Sequence, residues 1–397
     1  MTGERSEVGG RRTDAEHIEA SRAFLQRLWR LENDERPGFL IGYTGPRLRG
    51  GQPVRSALFA TEGTDTVRDR LTDPAKFLAA QLAEIAGQLA LRGDFVPALC
   101  PTLGVIGIPS AFGCPVVWWE RDFPAVRPAL GDDPSTTLDT ARSGHGPEQV
   151  YDLHMPDVSD GELGRILDYT RYFRQQTQGA YPIRMTDIQG PLDSAALIMG
   201  HNNFLLALRT HPNEVHHLLQ MVTDFTIRVV RAQRAAADAD FVPSLFQPWM
   251  ADGWGVSVSN DECVMISARD HDEFSVPYLN QLADAFGGVY IHSCGNWLHQ
   301  FPSLERVRNL RGLEFGASEA PFAPVAARFG GKVVLACRIG LHRDIRFASM
   351  ADYVRKIRAA ATTNRGLFIH VDVTNGLLDD SWPETDLDEI YALIEGD

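Results

Sequence analysis

The segment His292-Ser293-Cys294-Gly295-Asn296 sets an imidazole and a thiol two positions apart at the end of the apolar run GGVYI. Side chains two apart in a strand share a face, so the two groups project together, with Cα atoms about 6.5 Å apart. An imidazole and a thiolate converging in this way supply half of a tetrahedral zinc site, with Zn–S near about 2.3 Å and Zn–N near about 2.1 Å. The competing reading is a structural thiol beside a satisfied histidine. A third ligand is needed. Cys337, near the end of KVVLACRIG, is the first choice; His370 and Asp372 in GLFIHVDVTNG share a strand face, and Glu262 in SNDEC is a further candidate. Zinc held by one His and two thiolates with an open position deprotonates an incoming thiol, or activates water. His292 and Cys294 are therefore the expected catalytic residues, and His292, Cys294 and Cys337 the expected metal ligands.

Other polar groups sit where they could hold a substrate. Asp187 and Gln189 share a face in MTDIQGP, just before Gly190-Pro191 turns the chain; Asp187 as a helix cap is the alternative. WMADGWGVSVSNDE reads as a conformable loop exposing Asp252, Asp261 and Glu262, or as a plain solvated loop. Tyr43, Asp187, Gln189, Asp261, Glu262 and Asn296 make up the expected substrate-binding set. Arg47 and Arg49 have the chemistry to clamp a carboxylate or phosphate, although a surface role suits them better. Trp118-Trp119 reads as loop packing, and His211, His216 and His217 as surface or packing residues near the start of a long helix.

A frame must position these groups. Residues 14 to 34 carry Ile18, Phe24, Leu25, Leu28, Trp29 and Leu31 at mostly helical spacing, which predicts an opening amphipathic helix. PGFLIGYTGP then reads as strand and turn, 73 to 91 as helix, Phe95 to Leu99 as strand, and the stretch to about 148 as an elaborated loop. Beyond 150, helical patterns at about 158–178, 213–238, 272–286, 299–308, 348–362 and 384–395 alternate with apolar runs. Those runs are PIRMTDI, SLFQPWM, GVYIHS, GLEFGAS, KVVLACRIG and GLFIHVDV. Such alternation implies βαβ units, and runs apolar on both faces imply parallel strands covered by helices. The expected fold is α/β, a TIM (β/α)8 barrel with an N-terminal helical extension. No G-x-G-x-x-G turn supports the rival, a doubly wound sheet. In a TIM barrel, the carboxyl ends of the strands carry the chemistry, and that is where His292 and Cys294 fall.

The bulk numbers narrow the partners. The chain has 397 residues, 44% hydrophobic and 23% charged, with formal charge −14 and five scattered cysteines. Nucleic acid and anionic membranes need a basic footprint that the sequence lacks, and no apolar run reaches the roughly 18 residues of a bilayer span. The odd cysteine count fits reduced thiols, and MTGERSEVGGRR has no apolar signal region. We therefore expect a disordered tail at 1–12, one domain over 13–397, a cytoplasmic location and a small-molecule substrate.

Two blocks carry a resemblance: DIQGPLDSAALIMGHNNFLLALRTHPNEVHHLLQMVTDFTIRVV and GVSVSNDECVMISARDHDEFSVPYLNQLADAFGGVYIHSCGN. They look like the uroporphyrinogen decarboxylase superfamily, over roughly residues 20 to 395, and that resemblance implies a TIM barrel. True decarboxylases carry an Arg-rich run near the amino end, a Tyr inside the Gly-Pro segment and a late Gly-His-Gly. Here those places hold IGYTGPRLRGG, GPLDSAALI and Thr374-Asn375-Gly376. The three departures argue against porphyrinogen decarboxylation. HSCGN instead resembles the first half of the His-x-Cys…Cys zinc pattern of the cobalamin-dependent methyltransferases. The family's last Cys falls near FIHVDVTNG, which has none, so Cys337, His370 or Asp372 substitutes, or zinc has been lost. The resemblance implies a zinc-dependent methyltransferase moving a methyl group between a corrinoid such as methylcobalamin and a small thiol or related acceptor. No Asp-x-His-x-x-Gly corrinoid motif is present, so a corrinoid would arrive free or on a partner protein. Family barrels are often homodimers. The rivals are a lyase or decarboxylase of a small acid, and a tetrapyrrole or corrinoid carrier without turnover.

Overall fold

The apolar runs pair side by side in one direction. In the computed structural model, Gly38–Ile41 (β1), Ile183–Arg184 (β2), Phe241–Val242 (β3), Val256–Ser259 (β4), Val289–Ser293 (β5), Leu310–Gly316 (β6), Val334–Ile339 (β7) and Leu367–Val373 (β8) are strands. They are joined in the parallel order β1-β8-β7-β6-β5-β4, with β2 parallel to β3. Backbone bonds from Ser257 N–H to Pro243 O (2.9 Å) and from Asp94 N–H to Phe39 O (2.8 Å), and a parallel bridge between Leu99 and Ile183, close the ring. The result is the expected TIM barrel. The structure describes residues 14–42, 57–59, 64–130, 147–238, 240–340, 342, 344–373 and 385–396, without the side chains of Asp372 and Val373.

Helices cover the ring where the 3.6-residue period predicts them. Asp14–Trp29, Pro74–Leu89, Glu162–Gln176, Pro212–Ala237, Met350–Ala360 and Leu387–Glu395 all fall inside the expected ranges or within a residue of them. The pattern expected at 272–286 is two helices, Ala268–Phe274 and Val276–Phe286. Pro277 lies in the first turn of the second, where its missing N–H is harmless, and it cannot continue the first. The opening helix crosses the amino-terminal end of the barrel. Its Trp29 indole donates to Trp249 O (2.8 Å) and meets Tyr290 edge-on at 5.1 Å.

One stretch departs from the expectation. SLFQPWM is not a strand; β3 precedes it, and β4 lies inside the segment read as a loop. Pro243 and Pro248 remove ladder donors from the run, whereas VSVS is buried at all four positions. No helix separates β3 from β4. Among the described residues, no helix is long and apolar enough to cross a membrane.

Candidate metal centre

Parity along β5 decides which side chains meet. His292 pairs in register with Glu314 on β6, and Ser293 with Phe315. Glu314 pairs with Ala336 on β7, and Phe315 with Cys337. In-register residues of neighbouring parallel strands share a face, and successive residues alternate. His292 and Glu314 thus lie on one side of the wall, and Cys337 on the other. The Cys337 thiol is buried, donates to Phe368 O (3.8 Å) and receives the Tyr353 hydroxyl (3.5 Å) from helix Met350–Ala360. Burial pushes that thiol up to about 12. The expected third ligand is therefore not at the site: Cys337 lies on β7, but its side chain faces the other side of the wall.

Asp261 takes that place. Its Oδ1 lies 3.6 Å from His292 Nε2, and Nε2 lies 3.2 Å from Cys294 Sγ. Ligand atoms of Asp261, His292 and Cys294 all fall within 4.8 Å of one another. The edges of a zinc tetrahedron with such bonds are roughly 3.4–3.8 Å, so an imidazole, a carboxylate and a thiol at these spacings fit one small cation and leave a fourth position open. Asp261 opens a 3₁₀ turn (Asp261–Met265) just beyond β4. Asp193, buried in the first turn of helix Pro191–Met199, accepts the N–H groups of Asp261 (2.8 Å) and Glu262 (2.9 Å) and holds that turn. Asp261 Oδ1 in turn accepts the Cys294 N–H at 2.6 Å. Burial, then the charge of Asp261, pushes the Asp193 carboxyl well up.

His292 is fixed on three sides. Nδ1 bonds Glu314, whose other oxygen accepts from Arg338 Nε at 2.7 Å. Phe246 stacks on the imidazole, centroids 4.5 Å apart and planes 20° from parallel. The loop carrying Phe246 is itself clamped. Arg184 Nη1 donates to Ser244 O, Leu245 O and Phe246 O at 2.9, 3.2 and 3.0 Å, and Leu245 N–H donates to Ser257 Oγ at 2.9 Å. Burial alone would raise Glu314, but the Arg338 guanidinium and His292 hold it down at about 2. Burial alone would lower His292, yet Glu314, Cys294 and Asp261 together hold it well above its ordinary value. An imidazole ringed by anionic groups in this way marks a place that demands positive charge at Nε2, as a proton or as a metal ion. A carboxylate on the far ring nitrogen is the usual support of a metal-ligating histidine.

Behind Cys294, Gly295 turns at φ 75°, and its N–H donates to Glu319 at 3.1 Å. Glu319 is 1% exposed and also accepts the His342 N–H at 2.9 Å. A Cβ on Gly340 would lie 2.3 Å from that carboxyl, so glycine there is what admits it.

Of the other expected residues, Asp187 and Gln189 do stand together. Asp187 Oδ1 accepts both the N–H and the Nε2 of Gln189 at 2.9 Å, and Gln189 adopts φ 52° to make the pair. Burial raises the Asp187 carboxyl, with the Gln189 bonds and His292 opposing. Glu262 is not exposed on a loop; it is buried and bonds His201 Nδ1. Asn296 is exposed, its Oδ1 accepting the Leu298 N–H (3.3 Å) in a local turn. Asp252 pairs with Arg234. His370 is not part of the cluster, and the side chain of Asp372 and all of Tyr43, Arg47 and Arg49 lie outside the described residues. Glu314, Arg338, Glu319, Phe246 and Asp193 were not anticipated. For Glu314 and Arg338 a signal existed: each is a charge set between apolar neighbours inside a strand run, in GLEFG and in LACRI.

Comparison with known proteins agrees with this frame. The uroporphyrinogen decarboxylase (URO-D) family model matches residues 98–336. Uroporphyrinogen decarboxylases of Xanthomonas campestris pv. campestris and Xanthomonas oryzae pv. oryzae are 26% identical over 186 residues. That match spans 45% of this chain and only 44% of those relatives. A methyltransferase from Methanosarcina mazei superposes over 94% of this chain and 96% of its own, with TM-score 0.60 and 13% identity. At that identity, the likeness speaks for the fold alone. With the family match extending over more than half of its length, the chain belongs to the uroporphyrinogen decarboxylase family.

Proposed function

We propose that the protein is a zinc-dependent methyltransferase that moves a methyl group between a corrinoid and a small thiol or related acceptor. The observation that carries this reading is the convergence of Asp261, His292 and Cys294 at the carboxyl ends of β4 and β5, the end of a TIM barrel where chemistry is done. His292 Nε2, Cys294 Sγ and Asp261 Oδ1 would hold the metal, which when bound lowers the pKa of a coordinated thiol or water. Glu314 fixes the tautomer that leaves Nε2 available. Asp187, anchored through Oδ1 by Gln189, orients the acceptor, with Asn296 as a further contact. Methyl transfer to sulfur forms the S–CH₃ bond as the donor–CH₃ bond breaks, with the bonding pair staying on the donor; the thiol proton leaves beforehand. The corrinoid would come free or on a partner protein, and a homodimer in the cytoplasm is the expected setting.

The site's charge favours this reading over porphyrinogen decarboxylation. Asp187, Asp193, Asp261, Glu314 and Glu319 gather there, and Arg338, a guanidinium bonded into the cluster, is committed to Glu314. A substrate bearing many carboxylates would meet mostly acidic side chains among the described residues of the cluster.

The test is an assay with methylcobalamin and a panel of small thiols, following loss of the methyl–cobalt absorbance and appearance of the thioether. Zinc-dependent transfer, abolished by Cys294→Ser, is expected. Turnover of a small carboxylic acid with release of carbon dioxide, undiminished by chelators, would replace the proposal with the lyase reading.

A further inference from the structure

At the opposite end of the barrel a cavity of about 470 Å³ opens between the amino ends of β4, β6 and β7 and the close of helix Asp14–Trp29. Its rim carries Arg30, Arg311 and Lys332, its walls include Trp29 and Trp254, and among the described residues no acidic one lines it. In a chain of charge −14 that is unusual company. Most described surface arginines of this protein are tied to a carboxylate, as in Arg27–Glu35, Arg92–Glu395, Arg328–Glu305 and Arg355–Glu389. These three cations are held by other means. Arg30 lies over the Trp254 ring at 5.4 Å, Arg311 Nη2 donates to Gly287 O at 2.8 Å, and Lys332 Nζ donates to Arg328 O at 2.9 Å.

Arg311 is also seated. Its stem and Nε run so close over Gly288 that a Cβ there would fall 2.6 Å from Nε, and one on Gly255 would fall 3.4 Å from Cγ. Carbonyl and π-face tethers fix position without neutralising charge. Three positive charges therefore converge on one volume with nothing among the described residues to balance them. A cavity of this size is in the range of small-ligand sites, and guanidinium forks beside an ammonium suit oxyanions of more than one charge.

We propose that this cavity binds a phosphorylated small molecule, its phosphoryl group among Arg30, Arg311 and Lys332 and any apolar part against Trp29 and Trp254. The site lies at the end of the barrel that does not carry the chemistry, so its ligand is an anchor or effector rather than a substrate. Trp29 links the two ends: it packs edge-on against Tyr290, which is two residues before His292 on β5.

Titration of the full chain with inorganic pyrophosphate, and separately with adenosine monophosphate, tests this by calorimetry and by tryptophan fluorescence. One site per chain is expected, weakened at least 10-fold in Arg311→Met and in Lys332→Gln, weakened by salt, and unchanged in Arg171→Met on a distant surface. Thermal midpoint should rise with ligand in the native protein and not in the two variants. Lys332 is exposed and touches only a carbonyl, so its variant reads the charge even where Arg311→Met disturbs packing. No saturable binding of either probe at millimolar concentration, or equal binding in both variants, would overturn the proposal. These readouts need neither zinc nor turnover, so they stand or fall apart from the methyltransferase reading.

Discussion

Oδ1 of Asp261 stands 3.6 Å from Nε2 of His292, and the same oxygen accepts the backbone N–H of Cys294 at 2.6 Å. One carboxylate therefore ties the end of β4 to the end of β5 and completes the donor set that His292 and Cys294 begin. Replacing it with Asn keeps the shape and removes the charge. Asp261→Asn should weaken zinc binding at least 10-fold, measured by competition with a chromogenic chelator. Cys337→Ser, on the other face of the wall, should leave zinc affinity within a factor of two.

Glu314 and Arg338 would act on a bound metal through His292. Outer partners of a ligating histidine typically account for about 10–100-fold in metal affinity. Glu314→Gln should fall in that range. The cobalt-substituted variant should show a shifted visible spectrum, because the imidazole loses its anionic support. An unchanged affinity and spectrum would mean that Nδ1 does not need the carboxylate.

Thiol reactivity separates the cysteines without any metal. Burial pushes the Cys263 thiol up beyond useful reactivity, and Cys100, Cys114 and Cys337 up to about 12. Cys294 is half-buried at the mouth of the site. Limited alkylation of chelator-treated protein at pH 8, read by peptide mass spectrometry, should label Cys294 first. Added zinc should protect it.

How far the sequence carried this account is clearest at those same residues. The barrel was legible because most of its strands are apolar on both faces and most are followed by a helix. His292 and Cys294 were legible because two-residue spacing before a glycine is local information. Cys337 was misplaced because strand facing depends on register: Phe315 pairs with Cys337 and Glu314 with Ala336, a relation between strands that neither strand records alone. Asp261 is legible as a substrate contact, but the Gly- and Trp-rich stretch around VSVS looks like a loop, so nothing local sets Asp261 at a strand tip. Phe246 lies beyond local reasoning altogether. Its stacking on His292 depends on Arg184, 62 residues away, reaching the carbonyls of its loop.

Acid should unfold the protein partly through His271. This imidazole is fully buried, accepts from Asn260 Nδ2 at Nε2 (2.7 Å) and donates from Nδ1 to Ser303 Oγ (2.8 Å), so it is built in as the neutral form. Burial, with a small push from His299, lowers it from an ordinary value near 6.5 to about 4. Between those values the unfolded chain binds the proton and the folded one does not, so stability falls as pH drops from about 6.5 toward 4. The full gap corresponds to about 3 kcal/mol. Urea midpoints at pH 7.5 and pH 5 should differ less in His271→Gln than in the native protein; an equal difference would assign the acid sensitivity elsewhere.

The most direct test of the metal centre is the zinc content of protein purified without chelator, by plasma mass spectrometry, for the native chain and four variants. The account predicts about one zinc per chain in the native protein and in Cys337→Ser. It predicts a fraction of that in Asp261→Asn, His292→Ala and Cys294→Ser. Zinc lost in Cys337→Ser but kept in Asp261→Asn, or no zinc in the native protein even after reconstitution, would contradict it.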